Sequence, residues 1–339
     1  MKLASFRAAD RDRIGVVLEG GDLIDLSDAL RVSGVPESSV PRTMLELIES
    51  ESVTLAMVRD SIARAAGGLA AVANPGAGVS LAAVTRFSPN DVIWHPPVRR
   101  PSKICCLALN NSANSDRILR GPKHPAMFTK PASALVGHGG AIECKPEYGR
   151  THPEPELAVV IGKTAKSIRA ADAYDYVFGY TIHNDITSPT MRGEDTFQYR
   201  AIHPKGDDPG QIEYVDTWVS YPGRYKCTDT FACMGPWLVT KDEIPDPHAL
   251  AVGCLHKDRL VTQDTTANLT HKVPEVLAFL SGYLTLWPGD IVSMGTALAK
   301  SAGGGAVQNI DLNRLGGPVS VVIERIGTLT NPVVLVDGA

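Results

Sequence analysis

This 339-residue chain carries no marked excess of charge. Thirty-three Lys and Arg stand against 37 Asp and Glu, a formal −4, which leaves no electrostatic footprint for nucleic acid or anionic lipid. A small anionic substrate would need a local positive site. No apolar run approaches the eighteen or so residues of a membrane span, and Arg7, Asp10, Arg11, Asp12 and Arg13 stand where an exported chain would have an apolar leader. The six cysteines include no C-x-x-C pair and no regular framework, which excludes a disulfide scaffold and fits reduced, packed thiols. The expected location is cytoplasmic, so the sequons at Asn110 and Asn268 carry no meaning. Aromatics are scarce at 6%, and there is neither internal repeat nor low-complexity tract. What is present is 44% hydrophobic and 21% charged residues, enough apolar material for a packed interior and a length beyond one average domain.

Gly and Pro, 31 and 24 of them, imply many turns and short strands. The opening reads as strands over Lys2–Arg7, Ile14–Leu18 and Leu23–Leu26. Helical spacing over Met44–Ala66 follows (Leu45, Ile48, Leu55, Val58, Ile62). A Gly/Pro-rich stretch ending in His95-Pro-Pro-Val-Arg-Arg-Pro101 marks a boundary between a small N-terminal domain, residues 1–98, and a larger domain, residues 99–339. Strands then recur at Lys103–Leu109, Glu156–Ile161, Val177–Ile182, Gly235–Val239, Ile291–Met294 and Val319–Glu324, with helices at Ala170–Tyr176 and Pro274–Leu284. The polar segment Gly193–Tyr225 reads as an inserted loop, and the expected class is α/β, rich in β with mixed sheets.

The most informative run is Thr151-His-Pro-Glu154-Pro-Glu156, followed directly by the apolar Leu157-Ala-Val-Val-Ile161. In extended backbone, residues i and i+2 project to one face, so Glu154 and Glu156 emerge together. Two like charges repel, and buried they demand a cation; two glutamates at a solvated strand end are the alternative. A third carboxylate, Asp185, ends an apolar strand 29 residues after Glu156, about the span of one excursion out of and back into a sheet. Three acids with water completing the shell suit a hard ion, Mg²⁺ or Mn²⁺, better than zinc. Asn184-Asp185 as a turn cap is the competing reading.

Four ordered blocks share a pattern: Glu154-x-Glu156-Leu-Ala-Val-Val-Ile-Gly162; Gly179-Tyr-Thr-x-x-Asn184-Asp185; Lys226-Cys-Thr-Asp-Thr-Phe231 with Gly235-Pro236-Trp-Leu-Val-Thr240; and Leu286-Trp-Pro-Gly-Asp290 with Gly295-Thr296. Together they closely resemble the fumarylacetoacetate hydrolase family over about Pro101 to Val334. The resemblance implies a β-rich catalytic fold behind a small leading domain, a homodimer, and action on a 2-oxo or 1,3-dioxo acid. It implies Glu154, Glu156 and Asp185 as ligands of Mg²⁺ or Mn²⁺ (Ca²⁺ can stand in within crystals). It also implies Lys226 beside the site and Gly295-Thr296 as a loop for the substrate carboxylate. In such a site the ion stabilises an enolate, Lys226 adds positive charge beside the oxyanion, and backbone N–H groups near Gly295 bind a carboxylate. A plain surface lysine is the bland reading of Lys226.

The chain departs from the family in several places. The family's water-activating histidine falls at Asn114, and an amide accepts no proton at neutral pH. Asp116, His124 or His183 would have to substitute. Pro189 stands where the family has an arginine, with Arg192 three residues on, and Lys300 is a further candidate for the anion contact. Gln263-Asp-Thr-Thr266 resembles the family's polar patch in a shifted register, which makes Gln263 a substrate-binding candidate.

These departures order the reactions. The resemblance points to hydrolysis of a C–C bond in an acylpyruvate-like acid. Loss of the base tilts toward decarboxylation, hydration, dehydration or isomerisation, which use the same electron sink. A degenerate metal-binding relative is a third reading, weakened by the cost of keeping three facing carboxylates. Gly295-to-Ser301 lacks the spacing of a phosphate loop, and Ala302-to-Ala306 lacks that of a dinucleotide fingerprint. Cys105-Cys106 lies in an apolar strand with side chains to opposite faces and reads as packing.

Overall fold

A computed structural model describes residues 1–67, 84–113, 117–299 and 306–337. Of the residues singled out above, Asn114, Asp116 and Lys300 lie outside the described set.

The N-terminal part contains strands β1 (Lys2–Ala8), β2 (Arg11–Val17) and β3 (Leu23–Asp25), helices α1 (Leu26–Val32), α2 (Met44–Glu49) and α3 (Leu55–Gly67), then β4 (Arg86–Phe87) and β5 (Ile93–Trp94). The middle holds β6 (Ile104–Ala108), β7 (Ala126–Lys130), β8 (Leu135–Val136), β9 (Ile142–Cys144), β10 (Pro155–Ile161), β11 (Val177–Asp185), α4 (Pro189–Glu194), β12 (Thr196–Pro204), β13 (Ile212–Ser220) and α5 (Arg224–Cys227). The remainder is β14 (Ala232–Thr240), β15 (Ala251–His256), β16 (Arg259–Thr265), α6 (Val273–Tyr283), β17 (Ile291–Thr296), α7 (Leu312–Leu315), β18 (Val319–Ile323), β19 (Gly327–Asn331) and β20 (Val333–Leu335).

A mixed sheet runs in the order β4-β3-β2-β1-β14-β11-β10-β17-β6-β7, with β5 on β1 and β8 on β14. Its central strand explains the layering. All seven residues of β10 are buried, yet Leu157, Val159 and Ile161 feed one apolar cluster while Ala158 and Val160 feed another. A strand apolar on both faces belongs in a sheet covered on both sides. The first cluster packs against α6 and the sheet β16-β15-β18-β19; the second packs under α1, α2 and α3. Cys105 and Cys106 divide between the two clusters in the same way, so both are packing residues on opposite faces.

Three local expectations change. The helical run expected over 44–66 is two helices, because Ser50 and Thr54 turn their hydroxyls onto backbone N–H groups of Val53 (2.9 Å) and Met57 (3.3 Å). Residues Ala170–Tyr176 form a 3₁₀ helix. The segment 193–225, expected to be a loop, is a long hairpin: nine residue pairs join β12 to β13 around a turn where Asp208 accepts from Gly210 and Gln211. Its β-branched and aromatic residues favour strand, and their mixture with polar residues on both faces hides the alternation.

Candidate metal centre and substrate cavity

Glu154, Glu156 and Asp185 converge because β10 and β11 are antiparallel neighbours with Pro155 opposite Asn184 and Glu156 opposite His183. The Asn184 side chain accepts from the Glu154 backbone N–H (3.0 Å), and the Asp185 N–H donates to the Glu154 carbonyl (2.9 Å), tying the approach to β10 onto the end of β11. One carboxylate oxygen from each acid lies within 4.8 Å of the others.

Two lysines meet this cluster. Lys226 Nζ donates to Glu154 Oε2 (2.5 Å) and Asp185 Oδ2 (2.6 Å). Lys130 Nζ donates to Asp185 Oδ1 (2.6 Å) and to the Lys226 carbonyl. Glu156 is held from the other side by Ser293 Oγ (2.5 Å) and Thr296 Oγ1 (3.1 Å), and His183 Nδ1 reaches the same Ser293 hydroxyl (2.8 Å). Apart from the partly buried Glu154, these acids and lysines are all under a tenth exposed.

Burial sets the electrostatics. It pushes the Glu156 carboxyl up, against the pull of His183, and the neighbouring Asp185 and Glu154 charges push the same way. Burial would also raise Asp185, but the ammoniums of Lys130 and Lys226 hold its carboxyl well below the usual carboxylate range. Burial disfavours the Lys226 ammonium, yet Asp185, Glu154 and Glu156 raise its pKa well above an ordinary lysine, so it is a charge and a donor, not a base. Three carboxylates against two ammoniums leave one net negative charge in a desolvated place. That surplus, the all-oxygen donors and their spacing fit a hard divalent cation accompanied by a monoanionic ligand end.

Above the acids opens a cavity of about 340 Å³ whose walls include Asn111, Arg117, His152, Glu154, Arg192, Lys226 and Thr296. That is room for a small acid. Among the described residues neither Arg117 nor Arg192 has a carboxylate partner, and both are exposed residues of its wall. Gly295 underlies the wall: its φ is +89°, and a Cβ there would come within 3.0 Å of Asn110 Cβ and 3.1 Å of the Leu107 carbonyl. Asn110 in turn donates to the Met294 carbonyl (2.8 Å), and Asn111 to Asp264 (3.0 Å) and the Thr296 carbonyl (3.2 Å).

The structure thus brings Glu156 and Asp185 up to Glu154, beside a cavity that Glu154, Lys226, Thr296 and Arg192 line, with Gly295 behind the Asn110 part of its wall. Gln263 is a correction. It is exposed on β16, and the strand's alternation turns Asp264 inward instead, where it accepts from Asn111 and the Ala299 N–H. The substitute histidines are corrected too: His183 is buried behind Glu156 on Ser293, and His124 stacks on Phe279 at 5.4 Å, neither lining the cavity. Lys130, Asn111 and Arg117 went unread in the sequence. Lys130 ends the short β7 and precedes Pro131, with no acidic neighbour to advertise its role; its only local signal is a lysine at the end of the run Ala-Met-Phe-Thr.

A family model described as fumarylacetoacetate (FAA) hydrolase C-terminal matches residues 103–334. The chain belongs to the fumarylacetoacetate hydrolase family. Its α/β, β-rich architecture is that of the family's solved structures, and it is an enzyme of this family's type. Oxaloacetate tautomerase Fahd2a, mitochondrial, of Rattus norvegicus is 30% identical over 338 residues, 98% of this chain and 92% of that protein. Oxaloacetate tautomerase FAHD2B, mitochondrial, of Bos taurus is 31% identical with the same coverage. The maleylpyruvate hydrolase of Sphingobium sp. SYK-6, solved with manganese(II) and pyruvate, superposes with a TM-score of 0.67 at 27% identity, covering 99% of each chain.

Proposed function

We propose that this fumarylacetoacetate hydrolase family member is a Mg²⁺- or Mn²⁺-dependent enzyme interconverting the keto and enol forms of an oxaloacetate-like 2-oxo dicarboxylate. The observation that carries this is a cavity lined by Glu154 and Lys226, two members of a three-carboxylate, two-ammonium cluster, and also by two guanidiniums without carboxylate partners, Arg117 and Arg192. A substrate with a 2-oxo acid at one end and a second carboxylate at the other matches both. The full-length likeness to proteins named oxaloacetate tautomerases supports the same class.

Glu154, Glu156 and Asp185 would hold the ion, which when bound supplies a Lewis acid for the 2-oxo group and its enolate. Lys130 fixes the Asp185 carboxylate from behind. Lys226 Nζ, kept as an ammonium, donates toward negative charge developing on the substrate oxygen. Thr296 and Ser293 orient Glu156, while Arg117 and Arg192 bind the distal carboxylate. Tautomerisation breaks a C–H bond and forms an O–H bond, returning the same atoms. It needs a group to carry the proton from carbon to the enolate oxygen, but no water turned into a nucleophile. His152, which lines the cavity and is held toward the neutral imidazole by burial, would take the proton from carbon and return it to oxygen, so Asn114 in the place of the family's histidine is no obstacle. Asp116 and Lys300, near the same loops in sequence, are proposed as auxiliary polar contacts.

Hydrolysis of a C–C bond in an acylpyruvate-like acid is the second reading, favoured by the likeness to the maleylpyruvate hydrolase. The deciding experiment follows the enol absorbance of oxaloacetate with Mn²⁺-loaded protein, with EDTA, and with Arg192→Ala, while NMR identifies products. Faster enol–keto exchange than buffered Mn²⁺ alone, abolished by EDTA and with KM raised roughly tenfold or more in the variant, supports the proposal. Cleavage of maleylpyruvate into two acids without that exchange replaces it with hydrolysis, CO₂ release with decarboxylation, and no turnover with a binding protein. A homodimer and a cytoplasmic location stay proposals beside it. No helix among the described residues is long and apolar enough to cross a membrane, and the relatives above are named mitochondrial.

A further inference from the structure

A second cavity, of about 350 Å³, opens where β1 and β2, the start of α2 and the connection from β5 into β6 meet. None of its lining residues lines the cavity beside the acids. Its parts are tied together by the backbone N–H of His95, which donates to the Ser5 carbonyl (2.9 Å), and by Ser5 Oγ, which donates to the Pro97 carbonyl (2.7 Å).

The charge of this wall is one-sided. Asp12 accepts from Arg7 (3.0 Å), Arg99 (2.5 Å) and His95 (3.0 Å), so its carboxylate is fully engaged. Arg13 turns its guanidinium onto Asp25 (2.6 Å). The nearest carboxylate to Arg42 is Glu37 at 3.7 Å, and Arg31 already holds Glu37 at 2.5 and 3.1 Å. Arg100 has no carboxylate partner among the described residues. Burial keeps His95 toward its neutral imidazole against the pull of Asp12. With Arg13 balanced by Asp25, three lining guanidiniums, those of Arg42, Arg99 and Arg100, stand against the carboxylate of Asp12 alone. That leaves a surplus of two positive charges on a chain of formal −4. Beside them Ile14, Met44 and Leu45 give the same cavity an apolar side.

We propose that this cavity binds a small organic phosphate, its phosphoryl group on Arg42, Arg99 and Arg100 and its organic body against Ile14, Met44 and Leu45. A phosphate monoester carries about two negative charges at neutral pH on three terminal oxygens, which matches the surplus and offers each guanidinium an oxygen. A carboxylate brings one charge and two oxygens. Planar arginine forks suit that recognition better than the point charges of lysines. Because residues on both sides of the 98/99 boundary line the cavity, the bound phosphate ties the connection into β6 to the N-terminal strands.

The test is isothermal titration calorimetry on the full chain in EDTA with phenyl phosphate, inorganic phosphate and citrate. It is repeated on Arg42→Ala/Arg100→Ala, on Arg100→Gln and on Arg117→Ala/Arg192→Ala. Phenyl phosphate is expected to bind one to one, more tightly than inorganic phosphate or citrate. Both Arg100 variants should weaken it, the double one by roughly tenfold or more, while their melting temperatures and Mn²⁺ affinity stay those of the wild type. Arg100→Gln removes no ion pair among the described residues, so it keeps the test free of misfolding. Arg117→Ala/Arg192→Ala should retain the wild-type affinity. The proposal is overturned by an absence of phosphate binding or by unchanged affinity in both Arg100 variants. Loss of affinity in Arg117→Ala/Arg192→Ala overturns it by moving the phosphate to the metal cavity. Tighter binding of citrate would make this a polycarboxylate site instead, and capture by phosphatidic acid vesicles without binding of phenyl phosphate a lipid contact.

Discussion

Asp185 accepts from two buried ammoniums, Lys130 on one oxygen and Lys226 on the other, so single side chains at this point carry both stability and function. If Glu154, Glu156 and Asp185 hold the ion, Mn²⁺ at a hundred times its dissociation constant stabilises the protein by about 2.7 kcal/mol. Differential scanning fluorimetry should show that gain in the wild type and its loss with EDTA; Glu156→Gln and Asp185→Asn should show none, and a wild-type shift in both would remove them as ligands. Lys130→Met leaves Asp185 short of one buried partner and should cost about 3 kcal/mol in urea unfolding without metal, the low end of such losses because Lys226 still faces it. The pH dependence has a definite sign. Asp185 is held low only when folded, so its contribution is complete above the unfolded value of about 4 and is lost as pH falls through and below it. The gap between wild type and Lys130→Met should therefore narrow in acid; a gap constant from pH 7 down to pH 3 would contradict the pairing. Sequence alone exposed the acids, because Glu-x-Glu before an apolar strand is a local pattern. It could not expose Lys130, whose partners are 55 and 96 residues away in the chain.

Strand ends position the site, and β17 shows how little room they leave. Gly295 turns with φ +89° against Asn110 and the Leu107 carbonyl, so Gly295→Ala forces both a left-handed conformation and a backbone contact. It should lower stability by about 1–3 kcal/mol, read as a lower urea midpoint with unchanged slope, and reduce kcat/KM more than tenfold, because Thr296 and the Asn110–Asn111 wall move with it. Wild-type turnover in a folded Gly295→Ala protein would show that this wall does not set the cavity. At this scale the central strands were legible: the runs at β10, β11, β14 and β17 are largely apolar and buried on both faces, as in a doubly covered sheet. The break between α2 and α3 was not, since it comes from Ser50 and Thr54 capping backbone, a choice that apolar spacing does not record. Nor was the hairpin β12–β13, whose faces mix apolar and polar residues because neither is buried on its own chain.

Over the whole molecule, the N-terminal strands extend the sheet that carries the acids. β1 pairs with β14 through Lys2 opposite Val239 and Leu3 opposite Leu238, and Leu3, Ile14 and Ile24 share one apolar cluster with Ala158, Val160 and Met234. We propose that residues 1–98 form a structural unit whose apolar side is completed by residues 99–339, so neither part closes its core alone. Cutting at this boundary would strip β14 of its neighbour and uncover the face of β10 that carries Ala158 and Val160 in line with Glu156, leaving an unpaired edge beside an apolar patch. A fragment of residues 99–339 should therefore aggregate or bind a hydrophobic dye on size-exclusion chromatography. Co-expression with residues 1–98 should restore a soluble complex, because the two parts meet through ordinary sheet pairing and core packing. A fragment that melts cooperatively and binds Mn²⁺ as the whole chain does would show instead that residues 99–339 are self-sufficient and that the shared sheet is a docking of two finished domains.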